Sequence, residues 1–190
     1  VDAFSLIDNL LWSVRKFSSS RAVQENAFKV LACLYSSGQN QTGVEQKYVD
    51  ILEAVEVSLR DHQNCHTVVA SACSVISNMC TTCLTPPDTE LSQMMSDTMD
   101  RSILEVVKAM ELCIDDISAV EQASGALWAL CSAKPSLVVS LGTSNPGKSN
   151  TISVLTDAMK IFPSSMELQW DAICVIHSFF VQSENMIMDE

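Results

Sequence analysis

The sequence predicts an all-α chain built as a stack of similar helix pairs. Three observations carry that reading. A twelve-residue segment recurs four times without gaps. Each copy places apolar residues at the i, i+3, i+4, i+7 spacing of an amphipathic helix. Gly and Pro number only five each in 190 residues, which suits long helices better than a turn-rich β fold.

The four copies are VQENAFKVLACL (Val23 to Leu34), VVASACSVISNM (Val68 to Met79), AVEQASGALWAL (Ala119 to Leu130) and LQWDAICVIHSF (Leu168 to Phe179). Position five is always Ala: Ala27, Ala72, Ala123 and Ala172. Position eight is Val30, Val75, Ala126 and Val175, and position nine is Leu31, Ile76, Leu127 and Ile176. Position twelve is Leu34, Met79, Leu130 and Phe179. The small Ala lets neighbouring helices approach closely while the larger residues fill the space around it.

A second class of helix precedes each copy. Its members are Phe4 to Val14, Tyr48 to Leu59, Ser102 to Leu112 and Thr151 to Phe162. Short polar connectors such as SSSRA and DHQNCHT join the two classes into antiparallel pairs. The shared Ala recurs after 45, 51 and 49 residues. The longest spacing predicts an insertion loop over 81–100, TTCLTPPDTELSQMMSDTMD, with at most one short helix at Glu90 to Ser96. The tail SENMIMDE reads as a disordered end or a docking strip. One such pair cannot bury its apolar face alone, so stacked pairs share a continuous core and form a solenoid.

VQENAFKVLACL, EQASGALWAL and VISNM resemble the third helix of armadillo-type repeats, within the armadillo and HEAT class. The resemblance covers most of the chain. It implies a right-handed α-solenoid of about three and a half to four armadillo-like repeats, over 1–37, 43–83, 101–134 and 135–182. It also implies a protein-binding scaffold. In many armadillo proteins the third helices line a groove where an Asn ladder holds an extended peptide and Trp side chains form pockets. Position eleven, the Asn position, holds Cys33, Asn78, Ala129 and Ser178 here. Position seven, the usual Trp position, holds Lys29, Ser74, Gly125 and Cys174, and Trp128 stands instead at position ten.

A net charge of −12 disfavours nucleic acid and anionic membrane surfaces as partners and leaves a basic protein segment as the easier one. No apolar run approaches the ~18 residues that a membrane span needs. No signal-peptide pattern opens the sequence, and the start at Val1 reads as a processed or incomplete piece. Most of the eight Cys fall inside apolar helical patterns, where a free thiol behaves as a small hydrophobe. That points to a reducing, intracellular setting, cytoplasmic by preference, with an organelle left open.

GTSNPGKS, Gly142 to Ser149, matches the phosphate-binding loop G-x-x-x-x-G-K-[ST]. A working loop needs a buried parallel strand before it and a second strand carrying an Asp for Mg²⁺. No run of buried strands is legible, so the string reads as an inter-helix loop and nucleotide binding stands as a remote alternative. Cys65, His66, Cys80 and Cys83 could supply zinc ligands on paper. One helix between the two groups holds them roughly 20 Å apart, which defeats a single site. No nucleophile, base and orienting group share a recognisable spacing.

The sequence therefore predicts a non-catalytic interaction scaffold without cofactor or metal. Asn78, Gln122, Trp128, Gln169 and His177 are its candidate groove residues. The alternative is a structural or assembly subunit of a larger complex.

Overall fold

The computed structural model describes residues 3–36, 47–82, 90–136 and 150–188. They form eight helices: α1 (Ala3–Lys16), α2 (Arg21–Ser36), α3 (Tyr48–Asp61), α4 (His66–Thr82), α5 (Glu90–Leu112), α6 (Ile117–Ala133), α7 (Thr151–Ile161) and α8 (Met166–Met188). No strand occurs among the described residues, so the all-α expectation holds there. None of these helices is long and apolar enough to cross a membrane.

One turn is built four times. The amides of Phe17, His62, Cys113 and Phe162 close the first helix of each pair by donating four residues back. Their carbonyls then accept from Ser20, Cys65, Asp116 and Ser165. The carbonyls of those four residues open the second helix by accepting from Gln24, Val69, Val120 and Gln169. The spacing of the turns matches the spacing of the shared Ala, so each repeat is one structural unit.

Side chains at the turn explain why the chain bends there. Asp116 Oδ1 accepts from the Ala119 amide at 2.8 Å, and Ser165 Oγ accepts from the Leu168 amide at 3.1 Å. Both satisfy helix-start donors that have no intrahelical partner. Gln24 Nε2 donates to the carbonyls of Val14 and Phe17 at 2.8 and 3.1 Å, tying α2 back to the end of α1. Its Oε1 accepts from Ser58 Oγ on α3 at 2.9 Å. A buried amide is tolerated because both of its ends are bonded.

The pairs stack in two rows. Helices α2, α4, α6 and α8 pack successively, and α1, α3, α5 and α7 pack beside them in the same order. The four position-five Ala are buried, as are Leu31, Ile76 and Leu127. Each fully buried Leu or Ile contributes about 1.5–3 kcal/mol. Among the described residues one buried cluster extends from Ile7 on α1 to Val175 on α8.

Part of the predicted insertion loop is helix. Residues 90–100 form the first half of α5, which continues without a break to Leu112. Met95, Thr98, Met99, Ser102, Ile103 and Val106 are buried along one face. Thr98 Oγ1 meets its polar needs locally, donating to the Met94 carbonyl and accepting from Arg101. Lys134, at the end of α6, reaches the Ser96 carbonyl and Asp100 at 3.3 and 2.8 Å. The stripe is carried by Met and Thr in place of Leu and Val, which hides it from a reading based on apolar periodicity. Residues 83–89 lie outside the described segments. The tail also differs, because α8 remains helical through Met188.

Candidate functional site

The even-numbered helices meet through fixed faces. Asn78 Nδ2, at position eleven of α4, donates to the Ala32 carbonyl at position ten of α2, at 3.0 Å. Ser165 Oγ, at the start of α8, donates to Glu121 Oε1, at position three of α6, at 2.7 Å. Glu25, at position three of α2, is held below the usual carboxyl range, first by Lys29 and then by a hydrogen bond from Thr67 at the start of α4. A Cβ on Gly125, position seven of α6, would lie 3.2 Å from Asp171 Oδ2 on α8 and 3.7 Å from Ser77 Oγ on α4. Each helix thus turns a forward face, including positions three and ten, toward its successor. It turns a backward face, including positions four and eleven, toward its predecessor.

Position six shows what happens at the last repeat. Phe28, Cys73 and Ser124 occupy it in α2, α4 and α6, and all three are fully buried. Ile173 occupies it in α8 and is 56 % exposed. Trp170, at position three, is 66 % exposed, and Met166 is 78 % exposed. His177 at position ten is exposed too. Phe180 continues the row and packs edge-on against Phe179. α8 therefore presents a Met, Trp, Ile and Phe row where the earlier helices are covered by the next one. The polar His177 stands within this row, between Ile173 and Phe180.

Asp171 lies off the row, on the side of α8 that meets Gly125 of α6. Asp171 is half-buried, and its carboxyl pKa is raised by burial and then by the nearby Glu167 charge. The opposite end of the chain is different. Residues 1–47 carry five Lys and Arg against four Asp and Glu, whereas residues 48–190 carry six against nineteen.

The five groove candidates do not form one surface of free groups. The Asn78 amide is engaged between α2 and α4. Gln169 Nε2 donates to the carbonyls of Met159 and Phe162 at 3.0 and 3.4 Å, which ties α8 to the end of α7. Trp128 is half-buried against the core. Gln122 is half-buried on α6, and His177 is exposed in the α8 row. The row's strongest members, Trp170 and Ile173, were absent from the candidates. Their signal was a helix apolar on more than one face, since both fall outside the stripe that buries Leu168, Ala172 and Val175.

GTSNPGKS lies outside the described residues, and so does Cys83. Among the described residues no cluster of three or more His, Cys, Asp or Glu is placed to hold a metal ion. Among the described residues Cys33, Cys65, Cys73, Cys113, Cys131 and Cys174 are free thiols. Burial pushes the Cys131 thiol up to about 12. Cys113 rises to about 11, through burial first and then through the charges of Asp115, Asp116 and Cys65. Both are thereby poor nucleophiles. Comparison with protein-family models, curated proteins and solved structures returns no match.

Proposed function

We propose that the chain is a protein-binding module: a right-handed α-solenoid of the armadillo type whose forward α8 face receives a protein helix. One observation carries this reading. Position six is buried in three repeats and exposed in the fourth, where it bears Ile173. The face carries exposed Met166, Trp170, Ile173 and Phe180, which suits the apolar side of an amphipathic helix. Such a surface performs no chemistry; it contributes buried area and orientation. The same apolarity favours a second reading, in which the face is permanently covered within a larger assembly.

Affinity capture from native extract tests the module. The native chain is run beside Ile173→Asp and Trp128→Ala. Recovery of a partner by the native chain and by Trp128→Ala, with loss by Ile173→Asp, supports the α8 face. Recovery of the same proteins by all three chains overturns it, as does recovery of none by the native chain. A partner that exchanges with added free chain indicates a reversible adaptor, and one that does not indicates a permanent subunit.

A further inference from the structure

We propose that Cys65 and Cys113 are a redox-sensitive pair whose disulfide clamps the turn of the second helix pair to the turn of the third. Both cysteines stand in the repeated turn, so their backbones are fixed. The Cys65 amide donates to the His62 carbonyl, and its carbonyl opens α4 by accepting from Val69. The Cys113 amide closes α5 on the Ala109 carbonyl, and its own carbonyl accepts from Asp116. The two turns touch on either side of Cys65. Cys113 Sγ donates to the carbonyl of Gln63, two residues before Cys65, at 3.3 Å. His66, the residue after Cys65, places Nδ1 3.3 Å from Asp116 Oδ2 and Nε2 3.7 Å from Asp115 Oδ1. The Cys113 sulfur therefore already lies against the backbone of the turn that carries Cys65. A disulfide needs its two backbones this close. Cys65 Sγ has only a 3.7 Å contact with Thr67 Oγ1 to give up.

Access sets the order of events. Cys65 is partly exposed, whereas Cys113 and Cys73 are fully buried. A small disulfide such as oxidised glutathione thus reaches Cys65 first. The Cys65 thiolate attacks one sulfur of the reagent, its S–S bond breaks, and the departing small thiolate takes up the proton that Cys65 released. Cys113 then loses its proton and attacks the Cys65 sulfur. The Cys65–Cys113 bond forms, and the second small thiolate leaves and is protonated. Two protein thiols are oxidised and one small disulfide is reduced to two thiols. Burial makes Cys113 a poor nucleophile toward reagents in solution, but here its target is held beside it, and proximity offsets the loss. Cys73 neighbours Cys113 as well, since the Cys113 charge acts on its thiol. That pair has no member that a reagent reaches, so it lacks an entry point.

Thiol titration and mass spectrometry of the folded chain test the proposal. Cys33, Cys83 and Cys174 are first replaced by Ser, which removes competing thiols. Incubation with oxidised glutathione should cost this chain two titratable thiols and about 2 Da, with no glutathione retained. Sequencing of the linked peptides should join Cys65 to Cys113, and a reductant should restore both thiols. Cys113→Ser in the same chain should stop at one glutathione on Cys65, and Cys65→Ser should take up none at this joint. The joined chain should also show a higher urea midpoint than its reduced form. A chain that only retains glutathione, or that does not react, overturns the pair. A link from Cys113 to Cys73 overturns the assignment of Cys65, and equal urea midpoints overturn the clamp.

Discussion

Gln24 and Gln169 make the same pair of hydrogen bonds in the first and last repeats. Each donates through Nε2 to the carbonyls ten and seven residues before it. Their surroundings differ. Gln24 is buried and also bonded to Ser58, whereas Gln169 is only half-buried and its second bond is long, at 3.4 Å. Gln24→Ala strips the buried Val14 carbonyl and the buried Ser58 hydroxyl of their amide partner, so it should cost about 2–3 kcal/mol. Gln169→Ala, where water can replace the amide, should cost about 1 kcal/mol or less. Urea denaturation of both variants reads the difference, and equal losses would contradict it.

Ala123 is fully buried at the shared small position between helices. Ala123→Leu adds three carbons where the neighbouring helices leave no room. Overpacking should destabilise the chain by roughly 1–3 kcal/mol in thermal or chemical denaturation. An unchanged midpoint would mean that the stack yields easily at this seam.

Ser102 Oγ is fully buried in α5 with no hydrogen-bond partner among the described residues. Ser102→Ala removes an unsatisfied hydroxyl and favours the helix. The variant should be more stable by about 1 kcal/mol, measured as an increase in the urea midpoint. A loss of stability would show that the hydroxyl is satisfied.

Asp171 gives a pH dependence with a defined sign. Its folded pKa is raised above the usual 3.8 by burial and by Glu167. The ionised carboxyl therefore costs stability at neutral pH. That cost fades as pH falls through the raised folded value toward 3.8, where the unfolded chain also takes up the proton. Asp171→Asn should be stabilising at neutral pH, and the gain should shrink on acidification. A gain independent of pH would assign the effect to packing.

The helix pairing was legible in the sequence because the apolar stripe keeps the same offsets around the shared Ala in each copy, and the four turns recur after the same 45, 51 and 49 residues. The first half of α5 was not, because Met95, Thr98 and Met99 carry its buried face. The α8 site was only partly legible. His177 was among the candidates, but Asn78 and Gln169 were chosen for side chains that are engaged within the fold. Position six holds Phe28, Cys73, Ser124 and Ile173, which share no chemistry. Their equivalence appears only when the neighbouring helices show which of them is covered.

Trp170 offers the most direct measurement of that face. With Trp12 and Trp128 replaced by Phe, it becomes the sole fluorophore of its kind, and its 66 % exposure should give a water-like emission in dilute solution. Emission should shift to shorter wavelength and saturate as a captured partner is added, and Ile173→Asp should abolish the shift. Emission that stays water-like throughout the titration would contradict docking of a protein partner on the α8 face.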